Sequence, residues 1–443
     1  MLRMTRHRAL ALAAALFGLV GCGKQEFTNV VLISIDTIRA DHMSVYGYER
    51  PTTPHLERLA ESSVAFDAAY ATSSTTGPSH ATLFTGLYAP RHGVNANAVA
   101  LGETHVTLAE VLREHGFDTA GIIGSFVLDG RFGFAQGFDV FQQDFDLGGG
   151  KFKATHWEGI RLKEGFDRRA SDTTARALTW LESARDTSKP FFLFLHYFDP
   201  HEPYVPPEPY RSSFVQDESD AVQNYDAEIA YTDAQIGRFL DALDAMGLRQ
   251  QTLVIVTSDH GQGLGQHNEL YHAVNIYEES VRAPLLMGGP GIVVPQRRAE
   301  LFEQVDVLPT VLGLLGIESP AGVDGEDLSA LLRNEAPAAH PSAAFVYRQY
   351  YPRRHQVRGA RVGGEQFGVR QEHWKLIDGP GGTELYDLAT DPHELTNVYA
   401  AEPIVGTRLR EALEAWRARL HVPASTPVAL DESERAKLRA LGY

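Results

Sequence analysis

Residues 30–35 read Val-Val-Leu-Ile-Ser-Ile and stop at Asp36. A nearly unbroken apolar run suits a strand buried on both faces, as in a parallel sheet, rather than a half-exposed antiparallel one. Similar runs recur at 120–123, 191–196, 253–257 and 284–287. Between the runs, apolar positions fall into a helical period at 107–115, 172–184, 227–245 and 303–315. The longest of these, 227–245, sets Ile229, Ile236, Phe239, Leu240 and Leu243 on one face. Strands alternating with helices predict an α/β fold, a doubly wound, mostly parallel sheet. Ligands in such sheets gather beyond the carboxyl ends of strands, and Asp36, Asp199 and Asp259 each lie just past a predicted strand. After a Pro/Ala-rich stretch at 336–340 the elements shorten. Strand candidates at 344–348, 367–370, 374–377 and 384–386, a Gly379-Pro380-Gly381-Gly382 turn and a helix over 403–420 predict a small antiparallel-sheet subdomain. The expected division is a main domain over 29–335 and a C-terminal subdomain over 336–443.

The first 24 residues stand apart. Arg3, Arg6 and Arg8 precede an apolar stretch, 9–20, too short to span a bilayer as a helix. Leu19-Val20-Gly21-Cys22 resembles a bacterial lipoprotein signal. Residues 1–21 are therefore expected to be a cleaved signal peptide, Cys22 a lipidated membrane anchor, and 22–28 a linker. Gly23, rather than Asp, after that cysteine favours the outer membrane, with the protein facing the periplasm. Cys22 is the one cysteine in 443 residues, which excludes an internal disulfide and any Cys-Cys zinc site. The formal charge is −17, and loss of three arginines with 1–21 takes it to −20. Such an acidic chain argues against nucleic acid as its partner.

Asp259-His260 puts a carboxylate and an imidazole at one strand end, a ligand pair for zinc or manganese. Asp36 would add a third group. An Asp in such a place can equally cap a following helix, but several acidic or imidazole groups at strand ends weigh toward a metal. Thr76-Gly77-Pro78-Ser79-His80 reads as a helix start, with Pro78 in the first turn. The Thr76 hydroxyl would feel the positive end of the helix dipole, and metal contact would acidify it further. His201 lies in a turn stiffened by Pro200 and Pro203 and could donate to an anionic oxygen. His267 and His272 follow Asp259.

These segments resemble the sulfatase branch of the alkaline phosphatase superfamily. Ile35-Asp36-Thr37-Ile38-Arg39-Ala40-Asp41-His42 is similar to the opening metal motif, the stretch from Thr76 to Gly86 to the nucleophile signature, and that from Val256 to His260 to the second metal motif. Family-like segments continue at 277–284, 305–310 and 384–394. The likeness runs from about residue 29 to 400 and implies an alkaline phosphatase-like fold with 29–335 as the catalytic domain. The departures alter the chemistry that the likeness implies. Sulfatases convert a Cys or Ser to formylglycine; Thr76 stands there instead, and oxidation at its secondary Cβ would give a ketone, not an aldehyde. His80 replaces the usual Arg and Thr37 the usual second Asp, and the usual Lys and His are missing from 116–125. His260 replaces the usual Asn, exchanging a calcium-friendly oxygen for a zinc- or manganese-friendly nitrogen.

Asp36, Thr76, Asp259 and His260 together resemble threonine-dependent phosphoethanolamine and glycerol-phosphate transferases and related phosphodiesterases. The resemblance implies one divalent metal held by those four residues, zinc or manganese before calcium, with Thr76 as nucleophile. It places His201, and His272 thirteen residues after Asp259, on the phosphoryl oxygens, with His80 assisting. The expected substrate is an anionic ester, a phosphodiester or phosphomonoester. The alternative is a sulfatase working without formylglycine, and a further one is a non-catalytic binding protein on the same fold. Asp199, His201, His267 and His272 offer enough ligands for a possible second metal.

Overall fold

The computed structural model describes residues 28–441 apart from 154–155, 158–159, 163, 294–295, 336–341, 350–363 and 421–426. The expected signal peptide, Cys22 and the 336–340 boundary lie outside the described residues. Among the described residues no helix is long and apolar enough to cross a membrane.

The strands are β1 (Asn29–Ile35), β2 (Val64–Tyr70), β3 (Asp118–Ile122), β4 (Val140–Gln142), β5 (His156–Trp157), β6 (Ile160–Arg161), β7 (Phe191–Tyr197), β8 (Thr252–Ser258), β9 (Arg282–Gly288), β10 (Gln296–Glu303), β11 (Ala344–Arg348), β12 (Gln366–Gln371), β13 (Trp374–Gly379) and β14 (Gly382–Asp387). Eight of them make the main sheet, in the order β10-β2-β9-β8-β1-β7-β3-β4. Pairing is parallel except around β9, which runs antiparallel to both β8 and β2. The run at 284–287 is thus a strand of the opposite sense. The chain between β8 and β9 stays at one edge of the sheet, and without a crossover the next strand must run back.

The β1 run is unbroken because helices cover both faces. Val30 and Leu32 face a core shared with helices Thr76–Thr85, Leu108–Glu114 and Val307–Leu315. Val31, Ile33 and Ile35 face a second core with helices Pro54–Ala60, Ala170–Thr179 and Ala221–Ala245. The stretch read as a helix from 303 begins instead as the end of β10 and a 3-10 turn, Gln304–Asp306. β10 is half polar, an edge strand with one side toward solvent, and so lacks the apolar run that marks the others.

The C-terminal sheet is antiparallel throughout, β11-β12-β13-β14, with Gly379 paired to Gly382 across the expected turn. Helix Pro403–Arg417 packs on it through Leu409, Leu413 and Trp416, and Tyr88 and Val305 of the main domain join the same core. A last helix, Glu432–Ala440, returns to the main domain and buries Ala436, Leu438 and Ala440 there.

Candidate active site

β1, β7 and β8 end level with one another. Ile35 lies opposite Tyr197 on one side and Ser258 on the other. Asp36 and Asp259 therefore leave adjacent strands side by side. Asp36, Asp259 and His260 each offer a ligand atom within 4.8 Å of the others. Thr76, first residue of its helix, donates its hydroxyl to His260 Nε2 at 3.2 Å. All four residues are buried.

Backbone bonds aim these groups. Asp259 Oδ1 accepts the Thr37 and His260 N–H groups at 3.1 and 2.8 Å, so Oδ2 is left facing inward. Asp259 starts no helix and caps none; the next helical turn is Gln266–Asn268. His260 Nδ1–H donates to the Gly261 carbonyl at 2.9 Å, which fixes the tautomer and turns the Nε2 lone pair into the site. Asp36 Oδ1 and Asp259 Oδ2 are buried without a hydrogen-bond partner. Two such oxygens beside an imidazole nitrogen form a donor set that fits a divalent cation. Electrostatics agree. Burial, and then the Asp259 charge, push the Asp36 carboxyl well above its usual range. Burial acts on Asp259 too, but His260, His80 and His196 outweigh it and hold that carboxyl below its usual value. A cation between the two would relieve the conflict.

Residues that offer no ligand atom to the site hold the frame. Thr37 sits at φ 57°, a left-handed conformation that a β-branched residue rarely adopts. Tyr225, from helix Ala221–Ala245, donates to the Thr37 carbonyl and accepts from Arg39 N–H, at 2.8 and 2.9 Å. Gln304 Nε2 donates to the carbonyls of Ser258 and Asp259, both at 2.7 Å. Gly261 has backbone so close that a Cβ would lie 2.0 Å from the Glu279 carbonyl oxygen. Asn97 accepts the Gly77 N–H at 2.7 Å, and its own Nδ2 is buried without a partner.

His201 and His272 meet beside the cluster, rings 4.9 Å apart, and His272 stacks on His260 at 4.7 Å. His201 Nδ1–H donates to the Glu202 carbonyl at 2.7 Å, and its Nε2 is buried without a partner. His272 Nδ1–H donates to Gln262 Oε1 at 3.0 Å. Burial pushes both histidines down to about 3, so they are neutral at pH 7. The second ligand-like group here is His201, Glu202 and His272. Asp199 and His267, read from the sequence as candidates for a second metal, do not join it. Asp199 is drawn away by Arg169 at 3.0 Å and by the Ala170 N–H at 2.7 Å. His267 is held by Glu279 at 2.7 Å and the Glu394 carbonyl at 3.0 Å.

His80 is fully buried, its ring 5.0 Å from that of His196. Its Nδ1–H donates to the Thr76 carbonyl at 2.8 Å and its Nε2 accepts from Ser34 at 2.9 Å, so both nitrogens are engaged. His196 is a neighbour that the motif reading passed over. Its Nε2 is 3.4 Å from Asp36 Oδ2, and its place opposite Ser34 on β7 follows from strand register alone.

The sequence model of the family described as Sulfatase matches residues 28–317. The chain belongs to the sulfatase family. A second family model, N-sulphoglucosamine sulphohydrolase, C-terminal, matches 265–419. This sulfatase-family protein is 26% identical to N-acetylglucosamine-6-O-sulfatase of Bacteroides thetaiotaomicron, over 84% of this chain and 82% of that one. It is 28% identical to the multifunctional alkaline phosphatase superfamily protein PehA of Trinickia caryophylli, over 88% and 95%. Among solved structures, phosphonate monoester hydrolase of Agrobacterium radiobacter superposes with a TM-score of 0.72 at 23% identity, covering 92% of this chain and 98% of that one. Family, fold and ligand clusters together make the protein a metal-binding hydrolase of the alkaline phosphatase superfamily.

Proposed function

We propose that this sulfatase-family protein cleaves a phosphoester, with Thr76 as the attacking group. The observation that carries the reading is the buried Thr76 hydroxyl at a helix N-terminus, 3.2 Å from His260 Nε2, at the position where the family's convertible Cys or Ser stands. A threonine cannot yield the aldehyde hydrate that ejects sulfate by elimination. A phosphothreonine can instead be opened at phosphorus by water or an acceptor alcohol. Asp36, Asp259, His260 and Thr76 would hold one divalent cation, and the His260 nitrogen favours zinc or manganese over calcium. When bound, that cation supplies acidification of the hydroxyl and charge balance for the carboxylates. The helix N-terminus favours the alkoxide and an attached anion. His201 Nε2 faces the site as a lone pair; an arriving phosphoryl dianion raises its proton affinity and makes it a donor.

Sulfate-ester hydrolysis is the second reading. By likeness alone it is the better supported, through the matched family and the name of the Bacteroides relative. Thr76 is what moves the proposal to phosphorus. Zinc- or manganese-loaded protein given aryl phosphate monoesters, diesters and sulfates decides between them. Faster phosphoester turnover, with phosphate found on Thr76 after acid quench, is expected; faster sulfate turnover would establish the second reading. We also propose attachment to the cell envelope through lipidated Cys22, so Cys22→Ser should move the protein out of membrane fractions.

A further inference from the structure

Lys151 belongs to no family-like segment, yet its ammonium is buried beside the site. Nζ donates to the His201 carbonyl and to Glu228 Oε2 at 2.6 Å, and lies 3.6 Å from Asp199 Oδ1. Arg169 faces the same two carboxylates, at 3.0 Å from Asp199 and 3.4 Å from Glu228. Two cations and two carboxylates from four distant parts of the chain thus close into a neutral cluster.

What the cluster grips is the backbone of 199–205. Asp199 Oδ2 accepts the Ala170 N–H, and Thr232 donates to the Asp199 carbonyl. Lys151 takes the His201 carbonyl. Glu228 Oε1 accepts the Val205 N–H at 2.8 Å, and Arg169 donates to the Val205 carbonyl at 3.1 Å. The segment is fixed at its first, third and last residues, and none of these bonds touches the His201 imidazole. The ring rests on Phe198, centroids 4.5 Å apart, and Lys151 lies 5.3 Å from the Phe198 centroid. Burying four charges is costly, and apolar packing could brace a loop as well. We propose that Lys151 is a positioning residue, which holds the His201 carbonyl so that the unpartnered Nε2 meets the bound anion. The inference rests on the reading of His201 as an anion-contacting group.

Calorimetric titration with inorganic phosphate tests it without turnover, on metal-loaded wild type, His201→Ala, Lys151→Met and the double variant. His201→Ala should weaken phosphate binding about tenfold or more, the loss of a charge-assisted hydrogen bond. Lys151→Met should approach that loss in wild type and add less than about twofold once His201 is gone, since residues acting through one another are not additive. Circular dichroism and metal content should stay unchanged. Should Lys151→Met fail to fold, Lys151→Met with Glu228→Gln removes the pair without stranding a buried charge and should show the same loss. Equal Lys151→Met effects with and without His201, unchanged affinity, loss of metal, or a wild type that binds no phosphate would each overturn the assignment. Coupling seen in a protein that hydrolyses no ester would leave the positioning role standing and remove the proposed function instead.

Discussion

Asp36 Oδ1 and Asp259 Oδ2 are the atoms with most to gain from a cation, and His260 supplies the nitrogen that completes the set. His260→Ala should therefore lower metal content measured by elemental analysis, because the proposed four donors become three. Full occupancy in that variant would take His260 out of the ligand set. Thr76→Ala removes one hydroxyl and one methyl at the start of a buried helix. Its stability cost should be about 1 kcal/mol, the net worth of the hydrogen bond to His260 that is lost, while loss of a nucleophile costs several orders of magnitude in turnover. Measuring the melting temperature and kcat on one preparation separates the two effects; full activity would discard Thr76 as nucleophile.

At the scale of elements, the connection from β8 to β9 does most of the positioning. It carries Asp259, His260, Gln262 and His272, and it is fastened through His267. Both His267 nitrogens donate, to Glu279 and to the Glu394 carbonyl, and the ring stacks on Tyr277 at 3.7 Å. Burial pulls its proton affinity down, but the Glu279 hydrogen bond and charge outweigh that and raise His267 above the ordinary histidine value. A raised histidine contributes stability that is fully present below the unfolded value, about 6.5, and is lost as pH rises through the folded one. The melting-temperature gap between wild type and His267→Gln should thus be widest below pH 6.5 and shrink above it. A gap that grows with pH would show that His267 is held neutral.

For the whole molecule, the two ends of the described chain meet the same core. Helix Glu432–Ala440 buries Ala436 and Leu438 in the core that also holds Val30 and Leu32 of β1, and Lys437 lies 4.6 Å over the Phe126 ring and pairs with Glu164 at 2.7 Å. Deleting 427–443 removes the buried Leu438 and Leu441, whose burial is worth about 1.5–3 kcal/mol each. The melting temperature should fall by several degrees, while the C-terminal sheet, whose core around Trp416 contains none of the deleted residues, keeps its fold. An unchanged melting temperature would mean that the helix is only loosely docked.

The sequence by itself determined the elements whose signal is local. The run 30–35 has one residue type on both faces because both faces are covered, and helix 227–245 shows its stripe because one side meets the sheet. Asp36 and Asp259 were legible for the same reason: a buried strand that stops at an acid marks the sheet edge. β2 and β10 were not, since the alanines and Asp67 of β2 and the adjacent Arg297 and Arg298 of β10 leave no such run. Only the tertiary structure decided where the remaining charges point. Asp199 follows its strand as Asp36 does, yet Arg169 and Lys151 turn it out of the site, while Glu202, His196, Asn97 and Gln304 turn in. Strand identity depends on period and burial, which neighbours in sequence reveal. The direction of a buried polar group depends on which partner, tens of residues or more away, satisfies it first.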